Sequence, residues 1–203
     1  MRYITIILIA LLHLPVWGQQ SNLTKRKSQI EQCMKPIYSI TTFWQIADSL
    51  QMTIAELSDY PVIFPIKNPQ RISSGFGMRK HPLYERRRFH TGIDIPQVKG
   101  TPVYATGNGI VIGRGYDVEY GYFIEIQHTG GFRSFYAHLS RTLVKMGERV
   151  NITQQIGHVG NTGIVTGSHL HYEVRKSKRY LNPIGWCTYL FEVKNRSIRL
   201  LND

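Results

Sequence analysis

The stretch His169-Leu170-His171-Tyr172-Glu173-Val174-Arg175 decides how this chain folds. Its residues alternate: Leu170, Tyr172 and Val174 fall on one side of an extended strand, and His169, His171, Glu173 and Arg175 on the other. The two imidazoles then share a face, roughly 6–7 Å apart along the backbone from the strand rise. That spacing suits one ligand and one neighbour in a shared cleft better than two separately satisfied core histidines.

Upstream, other short runs have the same texture. Residues 101–106, 109–113, 122–128 and 132–138 are short runs with β-branched and aromatic residues, and turn signals lie between them at Gly107-Asn108-Gly109, Thr129-Gly130-Gly131 and Gly147. Closely spaced strands without intervening helices predict a mainly β fold, an antiparallel sheet or sandwich, running from about Pro61 to Trp186. Residues 19–60 carry a different pattern. Ile46, Leu50 and Ile54, with Ala47 and Leu57, recur at helical spacing, and Thr53 with Glu56 forms a capping-box signature. This part is read as a short helical arm against the main domain. Its segment Phe43 to Leu57 also resembles a fragment of the helical core of a lysin-motif module, a cell-wall glycan binder. Residues 187–203 are left as a C-terminal extension.

The N-terminus sets the compartment. A basic start, an apolar run from Ile4 to Trp17 and the small Gly18 read as a signal peptide over residues 1–18, too short for a membrane span. Export to the periplasm, envelope or medium is expected, with no membrane span after signal removal and a monomer as the working state. The formal charge of +12 falls only to +11 without that segment and suits a polyanionic partner. The basic residues are spread out and no nucleic-acid motif accompanies them, so no nucleic-acid partner is expected. Cys33 and Cys187 are either a disulfide permitted by export or two free buried thiols.

The chemistry concentrates in few residues. His90 and Asp94 lie four apart in Phe89-His90-Thr91-Gly92-Ile93-Asp94-Ile95-Pro96, where Gly92, the β-branched residues and Pro96 argue for a bent extended segment. With His171 they make a two-histidine, one-carboxylate set of the kind that holds zinc with a position open for water. The same set suits non-haem iron, but an oxidising compartment favours Zn2+. His128 and His158 read as surface or structural, and His81-Pro82 as shaping a loop at the groove rim. Glu173 is either a partner of the histidine pair or a solvated strand residue. Arg79 is a candidate for meeting a substrate carboxylate.

The segments Ser73 to Pro82, Phe89 to Pro96, Gly100 to Val111, Phe135 to Ser140 and Ile156 to Val174 resemble, in order, the lysostaphin-type zinc endopeptidases. This resemblance implies a β-dominated peptidase domain that hydrolyses peptide cross-links of bacterial peptidoglycan. It implies His90, Asp94 and His171 as zinc ligands, and His138 and His169 as the catalytic histidines, one a base and one an oxyanion stabiliser. Ser168 departs from the family's frequent proline, which bears on loop rigidity and on no ligand. A catalytically inactive wall-binding or amidase-activating module of the same fold is the alternative, and missing ligands would mark it. Because the imidazoles must work neutral, activity is expected to fall as pH drops through about 6.

Overall fold

A computed structural model describes residues 16–67, 69, 71–80 and 86–187. Most of the signal segment, the His81-Pro82 pair and the C-terminal extension beyond Cys187 lie outside these residues. Three helices come first: α1 (Val16–Met34), α2 (Ile40–Ser49) and α3 (Ile54–Leu57). Strands follow as β1 (Gly77–Lys80), β2 (Arg87–His90), β3 (Ile93–Pro96), β4 (Pro102–Tyr104), β5 (Gly109–Asp117), β6 (Gly121–Gln127) and β7 (Phe132–Thr142). Next are β8 (Arg149–Val150), β9 (Gln155–Val159), β10 (His169–Lys176), β11 (Arg179–Leu181) and a short helix α4 (Pro183–Cys187). The runs read as strands from the sequence are β4, β5, β6, β7 and β10.

All pairings are antiparallel. The main sheet has nine strands with the path β11-β10-β7-β6-β5-β8, joined at its margins by β3, β4 and β9, while β1 and β2 form a separate hairpin. Strand β10 pairs with three others, β3, β7 and β11. In register, His171 stands opposite Asp94 on β3 and opposite Ala137 on β7. Cross-strand neighbours on one face are close enough for their side chains to meet.

The two faces of β10 do different things. Leu170, Tyr172 and Val174 are fully buried in one continuous apolar cluster that runs from Ile30 on α1 to Cys187 on α4. The arm completes that cluster. Phe43 of α2 meets Tyr60, Phe132 and Trp186 edge-on at centroid distances of 5.2, 6.2 and 5.0 Å. Each such ring removed from water is worth about 1.5–3 kcal/mol. Lys176, on the same face, is buried and donates to the carbonyls of Met34 and Ile37 at 2.6 and 2.7 Å, where α1 ends. Burial lowers its pKa to about 8.

The capping box forms as read. Thr53 Oγ1 accepts from the Glu56 amide at 3.3 Å, and the Thr53 amide donates to Glu56 Oε2 at 2.8 Å. Ile54 departs from the expected stripe and is exposed, because the chain breaks after Ser49 and α3 starts afresh. The cysteines do not pair: Cys33 is an exposed thiol on α1, and only Cys187 is buried, beside Tyr172.

Between sheet and arm runs a buried polar chain. His128 donates Nδ1–H to the Asn108 carbonyl at 2.8 Å, so its Nε2 accepts from the Ser134 hydroxyl at 2.7 Å. Ser134 joins Tyr136 at 2.9 Å, Tyr136 joins Thr106 at 2.9 Å, and Thr106 joins Tyr172 at 3.0 Å. Burial holds His128 down to about 4, outweighing its bond to Asn108. The unfolded chain, with His128 near 6.5, binds the extra proton first on acidification, so stability is present above 6.5 and lost as pH falls towards 4. This one group removes about 3 kcal/mol over that span. Urea unfolding of wild type and His128→Gln at pH 7 and pH 4 checks it: the wild type should lose about 3 kcal/mol more than the variant, and equal losses would contradict it.

Candidate metal centre and groove

The bend between two strands builds the first half of the site. His90 ends β2, Asp94 sits in β3, and Thr91-Gly92 turns the chain between them. Gly92 is required by space: a Cβ there would stand 2.3 Å from the Tyr172 carbonyl oxygen and 2.8 Å from Glu173 Cγ. Strand β3 therefore lies flush against β10, and Asp94 reaches His171 across the pair. The nitrogen and oxygen atoms of His90, Asp94 and His171 all come within 4.8 Å of one another. His90 Nε2 is 3.2 Å and His171 Nδ1 2.9 Å from Asp94 Oδ1, and the two nitrogens are 3.1 Å apart.

The tautomers follow from what lies behind each ring. His90 Nδ1 is 2.8 Å from the Gly75 carbonyl, which only accepts, so the proton is on Nδ1. His171 Nε2 is 3.0 Å from the Glu173 carboxylate, so its proton is on Nε2. Both inward nitrogens and the Asp94 oxygen then present lone pairs to one point. A divalent cation reconciles three such acceptors, and its chief competitor is a proton. Burial works against a charge on His171, but its bonds to Asp94 and Glu173 prevail and raise it to about 9. The donor set and its buried support thus fit a metal ion.

Glu173 is the supporting residue that the sequence left open. It is fully buried, and burial alone would raise its pKa, yet His171 and Arg175 bring it down to about 2. Its carboxylate accepts from His171, from the Thr91 hydroxyl and from Arg175 Nε. Arg175 in turn reaches Glu125 at 3.3 Å and covers the Phe135 ring. Strand alternation placed Glu173 on this face, but its burial depends on β6 and β7, which no local pattern reveals.

The remaining two histidines line the same groove, with Arg79, Arg88, Tyr120 and Thr166. His138 and His169 pack with ring centroids 4.7 Å apart, and His138 lies 5.8 Å from His171. His138 owes its direction to a bulge. Phe132, Ser134 and Tyr136 alternate onto the buried-cluster side of β7, so parity would send His138 there as well. Its left-handed backbone (φ 59°), beside a register shift against β6, turns the ring to the groove instead. Its Nδ1–H donates to the Thr162 carbonyl at 2.9 Å, and that of His169 to the Gly167 carbonyl at 2.8 Å. Each Nε2 therefore offers a lone pair to the groove. Burial, then the neighbouring His171 and His169, hold His138 down to about 4. His138 thus stays neutral well below the pH of about 6 expected from the sequence.

The model of peptidase family M23 matches residues 88–183, which contain all five of these side chains. A solved catalytic domain of the prophage-encoded M23 protein EnpA from Enterococcus faecalis is 33% identical, with a TM-score of 0.53, over 61% of this chain and 95% of that one. This chain belongs to peptidase family M23. A zinc-containing peptidase from Vibrio cholerae is 38% identical with a TM-score of 0.56, covering 59% of this chain and 37% of that structure. The peptidoglycan DD-endopeptidase ShyA of Vibrio cholerae is 42% identical over 60% of this chain and 28% of its own length. The chain spans only 26% to 35% of the curated relatives it matches most strongly. M23 proteins are metallopeptidases, in accord with the three converging lone pairs.

Glu173 holds the His171 tautomer by charge as well as by geometry, so Glu173→Gln should weaken metal affinity about 10- to 100-fold with the fold retained. Competition with a chromophoric chelator measures this. Unchanged affinity would show that the carboxylate does not tune the centre.

Proposed function

We propose that this M23 chain is a zinc endopeptidase that hydrolyses peptide cross-links of bacterial peptidoglycan outside the cytoplasm. The observation that carries the reading is the groove itself, in which three lone pairs converge on one point and two further imidazoles, anchored through Nδ1, line the same groove. His90, Asp94 and His171 are assigned as the ligands, and the names of the zinc-containing peptidase and of ShyA support zinc and peptidoglycan. Zinc held there supplies Lewis-acid polarisation of the scissile carbonyl and a water that deprotonates near neutral pH.

The chain's own residues handle protons and charge. A neutral imidazole with Nδ1–H anchored to a carbonyl can take a proton at Nε2 and then pass it to the leaving amine. Once protonated, the same atom donates to the oxyanion of a tetrahedral intermediate. His138 and His169 share these tasks. Their backbone carbonyl partners fix both rings before substrate arrives, so little reorganisation is needed at the moment of reaction. Asp94 and Glu173 keep His171 oriented, and Arg175 keeps Glu173 charged. Residues 61–186 are the proposed catalytic unit, with residues 19–60 as its helical arm. Residues 1–18 are proposed to direct export, and among the described residues no helix is long and apolar enough to cross a membrane.

Digestion of purified cross-linked peptidoglycan by zinc-loaded protein, followed by mass spectrometry of the muropeptides, tests the reading. Cross-linked dimers should disappear with wild type and persist with His171→Ala, and His138→Ala or His169→Ala should each lower the rate about 10²- to 10⁴-fold. Intact dimers after exposure to folded, zinc-bound wild type would reject it.

A further inference from the structure

Arg79 of β1 stands opposite Arg88 of β2, and both line the groove that holds His138, His169 and His171. Its side chain is 27% exposed, and its ion pair is long, with Nη2 3.4 Å from Asp94 Oδ2. The Nε–H is buried and has no hydrogen-bond partner among the described residues. Arg88, by contrast, is matched by Glu119 at 2.7 Å.

A guanidinium carries five N–H donors and does not give up its charge. Arg79, part-buried with one long ionic contact among the described residues, is only partly neutralised there, a costly condition for a cation drawn away from water. Asp94 supplies the counter-charge only in part, through the long contact of its Oδ2. Its Oδ1 is already shared between His90 and His171, and a cation held there draws on the same carboxylate. A substrate anion in the groove would complete the neutralisation of Arg79. A peptide carbonyl would satisfy a single N–H and none of the charge, whereas a carboxylate matches the planar fork with two parallel bonds.

We propose that Arg79 is a specificity-determining residue that binds a free carboxylate of the substrate beside the scissile amide. The groove then takes cross-links through a diamino diacid in preference to a neutral bridge of glycines. This rests on the peptidoglycan reading above. When a diamino diacid is cross-linked through its second amine, a carboxylate sits on the carbon next to the scissile nitrogen. The inner residues of a glycine bridge carry none.

The test uses two synthetic cross-linked peptides that differ only at that carbon, one with a carboxylate and one with a carboxamide. Cleavage by the zinc-loaded full chain and by Arg79→Gln is measured as separate kcat and KM. Calorimetric titration with the two amine-side product peptides gives a readout independent of turnover. Wild type should favour the carboxylate about 10- to 100-fold in kcat/KM, carried by KM, and by a similar factor in product binding. Arg79→Gln should bring both ratios to within about threefold of unity. Equal handling of the two peptides by wild type overturns the proposal without any variant, and so does a ratio that survives in Arg79→Gln. If wild type cleaves neither peptide, the endopeptidase reading fails, and the product-binding ratio still decides the role of Arg79.

Discussion

Three lone pairs aimed at one point are the constraint on which the rest of this structure depends. Neutral imidazoles can be arranged in two tautomers, and only one combination turns His90 Nε2 and His171 Nδ1 inwards. Groups behind the rings choose it: the Gly75 carbonyl for His90 and the Glu173 carboxylate for His171. Such partners fix both orientation and basicity of a metal-binding histidine. Glu173 is held in turn by Thr91 and Arg175, so the organisation reaches three residues back from the centre.

The sheet provides rigidity by having one buried face for structure and one for chemistry. On β10 the even-numbered residues anchor the strand in the apolar cluster, down to Lys176 at the end of α1. The odd-numbered residues carry the site. Displacing β10 by one residue would exchange these faces, and the buried cluster opposes that. The arm therefore bears on the site indirectly, by completing the core that fixes the register of His171 against Asp94.

Much of this was legible in the sequence because strands declare their faces. Alternation in His169 to Arg175 gave the shared face of His169, His171 and Glu173, and the Thr53–Glu56 signature gave the start of α3. The bend at Gly92 was also foreseen, though only the contact with Tyr172 explains why no larger residue fits. Other features were hidden because they depend on partners distant in sequence. His138 violates the parity of its own strand, and only the resemblance to a known family singled it out. The burial of His128 requires the Asn108 carbonyl and Ser134. Lys176 stands beside Lys178 and Arg179 in the sequence, yet it closes the end of a helix more than a hundred residues earlier. Ile54 followed the helical period and still faces outwards, since periodicity does not register a break in the helix.

The most direct measurement of the central claim is X-ray absorption at the zinc edge, with zinc stoichiometry, on protein saturated and then freed of excess metal. The account predicts one zinc per chain, two imidazole nitrogens and oxygen ligands at about 2.0–2.2 Å, and no sulfur. A chain that retains no zinc, or zinc bound to sulfur at about 2.3 Å, would contradict it.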